Sequence, residues 1–239
     1  MTPTATQTLP WGSEGSFLFA TWSARRDTPA EIAARVQRFL AACARLVDDT
    51  VWLTTRNDVW QASGHDREDL VRAAVVRDDL GYPEPESGYS LMITATGPRL
   101  RVQAQFTAGA VSDGRRGPSN AITVEVFEVQ PGSFTGDVAD VIMQAVIDSW
   151  DPLVVALRDE ETLMTAHRGG WLIPIGYRTW ISGSVGRVED VAPGIAAREV
   201  AGGSHLAAPD TWDADDVVDG MLKTFASNGL DKIPHPHGR

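Results

Sequence analysis

Between Thr28 and Val47 the apolar side chains recur every three or four residues: Ile32, Val36, Phe39, Leu40, Cys43, Leu46 and Val47. That spacing lays one apolar stripe along a helix and predicts an α-helix through about residue 47. Thr28, Pro29 and Glu31 mark its start. The threonine supplies a capping hydroxyl, the proline a first-turn residue whose N–H is not needed, and the glutamate an acid placed to bond back to the cap. Asp137 to Trp150 repeats the period through Val138, Val141, Ile142, Ala145 and Val146, and Asp151-Pro152 ends it. Asp213 to Asn228 repeats it again through Val218, Met221, Leu222 and Phe225. Asp213, Asp215, Asp216 and Asp219 suit the positive end of that last helix, and Asn228-Gly229 stops it. A shorter helix is expected from about Arg67 to Arg77.

Elsewhere the period shortens to two. Tyr89, Leu91 and Ile93 alternate with Ser90, Met92 and Thr94, and Leu100, Val102, Ala104 and Phe106 with Arg101, Gln103, Gln105 and Thr107. Gly97-Pro98 between them predicts a hairpin. Ile122, Val124 and Val126 alternate with Thr123 and Glu125 in a third strand. One apolar and one polar face is the signature of an antiparallel sheet covered on one side. Phe17–Trp22, residues 153–157, Tyr177–Ser182 and one or two short runs around Gly202-Gly203 complete the expected strands. Trp52 and Trp60 anchor a less regular stretch. The expected fold class is α+β, a single domain with an antiparallel sheet and helices packed on it. Residues 1–15 are expected to be a flexible arm, 16–230 the domain, and 231–239 a disordered tail.

The chain has 239 residues and a net charge of −11. A surface this acidic repels phosphate backbones, which argues against direct nucleic-acid binding and favours encounter with a basic partner. The single cysteine, Cys43, falls on a helix stripe and reads as a core residue in a reducing compartment. No secretory signal pattern and no membrane-length apolar run are seen, so a cytoplasmic location without membrane contact is expected.

Candidate chemistry is sparse. The nucleophile elbow G-x-S-x-G, the phosphate loop and the dinucleotide-binding glycine motif are absent. His65, His167, His205, His235 and His237 fall in no zinc spacing. His65 with Asp66, Glu68 and Asp69 reads as a helix-start cluster. His205 beside Ser204 and near Asp210 is a weak triad fragment, because neighbours in a strand point to opposite faces. No cofactor, metal or catalytic residue is expected. What stands out is 169–182, GGWLIPIGYRTWIS, rich in glycine and aromatics and poor in acid–base groups. Trp171, Tyr177 and Trp180 suit a core, but Arg178 and Trp180 share a strand face and are residue types enriched at binding hot spots. Asp78, Asp79, Glu84 and Glu86 surround a proline-containing loop suited to a basic cleft.

Ile175-Gly176-Tyr177-Arg178-Thr179-Trp180-Ile181-Ser182 resembles the G-aromatic-x-T-aromatic-x-S signature of the immunity protein 52 family of bacterial polymorphic toxin systems, with the order of the two aromatics swapped. Trp22-Ser23-Ala24-Arg25 with the helix after Thr28, Pro118-Ser119-Asn120-Ala121-Ile122-Thr123-Val124-Glu125, and Ser149-Trp150-Asp151-Pro152 are similar to further blocks of that family, in the same order. The resemblance spans about residues 20–228. It implies a cytoplasmic inhibitor, not an enzyme, that binds a cognate toxin, commonly a nuclease. Trp171, Arg178, Trp180, Asp78, Asp79, Glu84 and Glu86 are the candidate partner-binding residues. The competing readings are a hydrolase with a non-local site and a structural subunit of a secretion or phage-like assembly.

Overall fold

A computed structural model gives the fold, described for residues 15–60 and 64–235. Nine strands form one sheet in the order β2-β3-β4-β5-β1-β6-β7-β9-β8, every neighbouring pair antiparallel. The strands are β1 (Phe17–Trp22), β2 (Leu53–Thr54), β3 (Tyr89–Thr96), β4 (Leu100–Ala108), β5 (Asn120–Glu128), β6 (Val154–Arg158), β7 (Arg178–Ser182), β8 (Ala196–Val200) and β9 (Gly203–Ala207). The α+β expectation holds, with the sequence-central meander β3-β4-β5 to one side of β1 and the C-terminal strands to the other.

Register fixes the two faces, because directly opposed residues of an antiparallel pair point the same way. Leu18 and Ala20 of β1 oppose Val124 and Ile122, which oppose Ala104 and Phe106, and all six are buried. Two helices cover this face: α1 (Pro29–Cys43) and α3 (Gly136–Trp150). Phe39 of α1 meets Phe106 edge-on at 5.7 Å. Trp150, the last residue of α3, stacks on Trp22 at 4.9 Å and lies 5.4 Å from Phe106. The capping box of α1 is complete: the Thr28 hydroxyl accepts from the Glu31 amide, and the Glu31 carboxylate accepts from the Thr28 amide at 2.7 Å. A 3-10 turn at Ala44–Val47 continues the helix to the expected end.

The opposite face divides in two. Over β3, β4 and β5 it is half-buried or exposed and mostly polar, with Met92, Ala121 and Phe127 among the polar residues and Gln103 donating to Glu125 at 2.8 Å. Over β6, β7 and β9 it is buried as well, through Val154, Ala156, Thr179, Ile181 and Leu206. On this side α4 (Glu160–Ala166) packs against α5 (Ala214–Ser227), and the Phe225 ring lies 5.9 Å from the Arg168 guanidinium. The sheet is therefore covered on one side in one half and on both in the other, where one-sided cover was expected throughout.

Other departures have local causes. The short helix α2 is Gly64–Ala73, earlier than expected, because Val75 leaves the helix to bridge to Tyr89. Val141 is 43% exposed, and the buried arc of α3 runs instead through Ala139, Ile142, Met143 and Val146. This rotation turns Asp140 towards β7, β8 and β9. In α5, Leu222 is exposed and Val217 takes its buried place. Residues 231–235, expected to be part of a disordered tail, are packed. Ile173 donates to Asp231, Ile233 donates to Trp171, Ile233 is buried, and His235 stacks on Trp171 at 4.3 Å. The rest of that tail, and all but the last residue of the expected N-terminal arm, lie outside the described residues.

Replacing Trp150 with alanine removes a large ring from between β1, β4 and the end of α3. The expected loss is about 3–5 kcal/mol of unfolding free energy in urea titration. A loss below about 1 kcal/mol would show that the Trp22–Trp150 stack is not a principal packing contact.

Candidate partner-binding site

The aromatic segment 169–182 runs into the interior. At Gly176 a Cβ would lie 2.0 Å from the Leu157 carbonyl oxygen, so only glycine lets the chain enter β7 this close to β6. Tyr177 is buried, and its hydroxyl donates to Asp159 at 3.1 Å; burial lifts the phenol to about 12. Trp180 is buried, and its indole N–H donates to the Val200 carbonyl at 2.8 Å. Trp171 is buried beneath His235.

Arg178 and Trp180 do share a strand face, as their spacing requires, but α3 covers it. The expectation that Trp171, Arg178 and Trp180 contact a partner is corrected accordingly: all three are interior residues. Period-two alternation shows which residues share a face and leaves open whether a helix lies over that face.

Arg178 instead joins elements of the fold. Its guanidinium donates to the carbonyls of Tyr177 and Ala208 at 3.1 and 3.0 Å and to the Asp210 carboxylate at 2.6 Å. Its Nε lies 3.7 Å from Asp140, which also receives Arg198 Nη2 at 3.2 Å and lies 3.7 Å from His205 Nε2. One carboxylate on α3 thus faces cationic or titratable groups on β7, β8 and β9. Burial above all, then Arg198 and Arg178, pushes His205 down to about 4 against the pull of Asp140, so the imidazole is neutral at pH 7. Ser204 points the other way, its hydroxyl accepting from the Val188 amide, and Asp210 is bonded to Arg178. His205, Ser204 and Asp210 are therefore not assembled as a triad. Burial also raises the Cys43 thiol to about 12, which keeps it protonated and inert in the core. Among the described residues no group of three or more His, Cys, Asp or Glu side chains is placed to hold a metal.

The acidic residues 78–86 have the opposite character. Asp78 pairs with Tyr82 in a tight turn: its amide donates to the Tyr82 carbonyl at 2.9 Å, and its carboxylate accepts from the amides of Leu80 and Tyr82 at 2.9 and 2.7 Å. Arg77 donates across the turn to Gly81 at 2.8 Å. Below the turn, Glu84 donates to Val76, Val76 to Gly88, and Ser90 to Ala74. The loop is therefore a braced hairpin rooted on β3. At its tip Leu80 is 81% and Tyr82 66% exposed. Asp79, Glu84 and Glu86 are exposed around them, and Asp78 is half-buried. Of the expected site residues, the structure brings these four acids together. It adds Leu80 and Tyr82, which sequence reasoning passed over although two large apolar residues amid acids, glycine and proline were legible as a signal.

Among the described residues no helix is long and apolar enough to cross a membrane. No family model matches the chain, and no curated protein matches it. Among solved structures, Pseudomonas aeruginosa T6SS protein PA0821 is similar over 93% of this chain and 67% of its own, at 8% identity and a TM-score of 0.39. Likeness at that level carries no inference about fold or function.

The buried imidazole makes stability depend on pH. Its value in the folded chain, about 4, lies below its ordinary 6.5, so the unfolded chain takes up the proton more readily. Its contribution is full above the ordinary value, declines as the pH falls, and is lost once the pH passes the folded value. Urea titrations across this range should show a slope that flattens in a His205→Asn variant. An unchanged slope would place the titrating group elsewhere.

Proposed function

We propose that this chain is a cytoplasmic immunity protein that binds a cognate toxin, of the nuclease class, and neutralises it by occluding the active site without turnover or cofactor. The reading draws on the resemblance along residues 20–228 and on the net charge of −11. The observation that carries it is the braced hairpin at 77–88, which holds Leu80 and Tyr82 in solvent at the centre of exposed acids. An apolar anchor surrounded by charge is the arrangement of a binding hot spot and its rim. Hydrogen bonds across the turn hold the loop in one shape before contact, which lowers the ordering cost of association. A nuclease must line its nucleic-acid path with cations. Acids that meet that path speed encounter, while the apolar tip supplies the desolvated contact that slows dissociation.

The test is protection of nucleic acid from the toxin encoded in the neighbouring reading frame. Protection should saturate at about one inhibitor per toxin; saturation far below that ratio would instead indicate catalytic inactivation of the toxin. A Leu80→Ser, Tyr82→Ala double variant should keep its circular dichroism and lose about 2 kcal/mol or more of binding, a rise in Kd of roughly 30-fold or more. Charge reversal at Asp79, Glu84 and Glu86 should chiefly slow association and weaken its salt dependence. Unaltered affinity in the double variant would remove the hairpin from the interface.

A further inference from the structure

Arg158, the last residue of β6, opposes Phe17 of β1 and is 9% exposed. Its guanidinium carbon lies 5.2 Å from the Phe17 ring and 5.0 Å from the Phe19 ring. Among the described residues no hydrogen bond or ion pair reaches it, and its Nε is buried without a partner. Among the described residues the other buried arginine, Arg178, has Asp210 as its acid, and the neighbouring Arg168 has Asp231. A desolvated cation with no counter-ion is costly, and burial accordingly pushes Arg158 down to about 10.

The side chain lines a cavity of about 140 Å³, with Phe19, Leu172 and Pro174 as apolar wall, Gly169-Gly170 as backbone wall and Arg168 at the margin. That is the room of about four or five water molecules at roughly 30 Å³ each. Gly170 has a φ of +64°, and a Cβ there would lie 2.0 Å from the Arg116 carbonyl oxygen, so glycine lets this wall close against the loop before β5. Arg168 is already committed: its Nε donates to the Ile173 carbonyl at 2.7 Å and its Nη2 to the Asp231 carboxylate at 2.9 Å. One positive charge therefore remains with two aromatic faces but no counter-ion, on a planar fork of donors set in a largely apolar recess.

We propose that this recess is a binding site for a small monocarboxylate, its two oxygens taken by the Arg158 guanidinium and its apolar body seated against Phe19, Leu172 and Pro174. The guanidinium fork matches a carboxylate in geometry. Charge balance favours a monoanion, since a phosphate dianion would bring a second negative charge for which the recess has no free cation. The site lies on the sheet face opposite α1 and α3 and does not depend on the toxin-binding reading.

The experiment uses the full chain with sodium propionate and sodium butyrate, against sodium chloride at equal ionic strength. Both carboxylates should raise Tm saturably in the wild-type protein. In an Arg158→Met variant their affinity should fall by about tenfold or more. In carboxylate-free buffer the same variant should be as stable as wild type or more so, because an unpaired buried cation has been removed. An Arg158→Lys variant, which keeps the charge and loses the fork, should bind more weakly than wild type. A marked drop in Tm for Arg158→Met without ligand would mean that the guanidinium already has an internal partner and would overturn the site. Equal propionate binding by wild type and Arg158→Met would overturn it too, and inorganic phosphate binding as tightly as propionate would overturn the monoanion assignment.

Discussion

The pairing of β1 with both β5 and β6 holds the sheet together. Those partners are far apart in the chain, and among the described residues no other strand joins the β2–β5 half to the β6–β9 half. A slip of one residue in β1 would turn Leu18, Ala20 and Trp22 to the wrong face. Several contacts fix the register at the Trp22 end. The buried Asn120 side chain accepts from the Ala110 amide at 3.2 Å and donates to the Ser23 carbonyl at 3.1 Å, and the Thr21 hydroxyl donates to the Asn120 carbonyl at 2.7 Å. Trp22 stacks on Trp150, and Arg35 of α1 donates to the Ser149 carbonyl at 3.1 Å. Strand and helix ends are thereby fastened together by both apolar and polar contacts.

The two halves built on β1 differ in cover, and the candidate sites follow that difference. In the β2–β5 half one face of the sheet is open, and the acidic hairpin projects from the start of β3. Over β6, β7 and β9 both faces are buried, so charges there are paired inside, while the edge strand β8 is exposed. Asp140 does much of this, because the rotation of α3 that leaves Val141 exposed points Asp140 at Arg178, Arg198 and His205. Arg158 lies at the seam, where β6 emerges from the doubly covered half beside the open face of β1.

The legible parts of the fold were those set by local periodicity and end signals: α1 with its capping box, α3, α5, and the meander β3-β4-β5. Around Gly202-Gly203 one or two short strands were expected, and β8 and β9 lie there as a hairpin. Less legible was anything decided by what packs on a surface. Val141 and Leu222 fit a helical stripe in sequence and are exposed, because a period gives the stripe but not its centre. The short helix α4, with Asp159 accepting from the Thr162 amide, is too brief for a period to show. The packing of 231–235 depends on contacts with Trp171 and Ile173, far away in the chain. For the same reason, residue types enriched at interfaces misdirected the site expectation at Trp171, Arg178 and Trp180. The acids at 78, 79, 84 and 86 were legible because glycine and prolines mark their loop as a surface turn.

Charge is thus sorted by solvent access. At the hairpin, Asp79, Glu84 and Glu86 need no cation because water screens them. Around Arg178 water is largely excluded, and its charge is met by the half-exposed carboxylates of Asp140 and Asp210 while its donors also reach carbonyls. His205 follows the same rule by giving up its proton. A chain with a net charge of −11 has ample acid to neutralise one more arginine. At Arg158, however, β-sheet geometry surrounds the guanidinium with two phenylalanine rings and glycine backbone, and no described acid approaches it. Where Arg178 is paired and His205 gives up its proton, a buried cation with no counter-ion beside an apolar recess has the electrostatics of a site that an external anion completes.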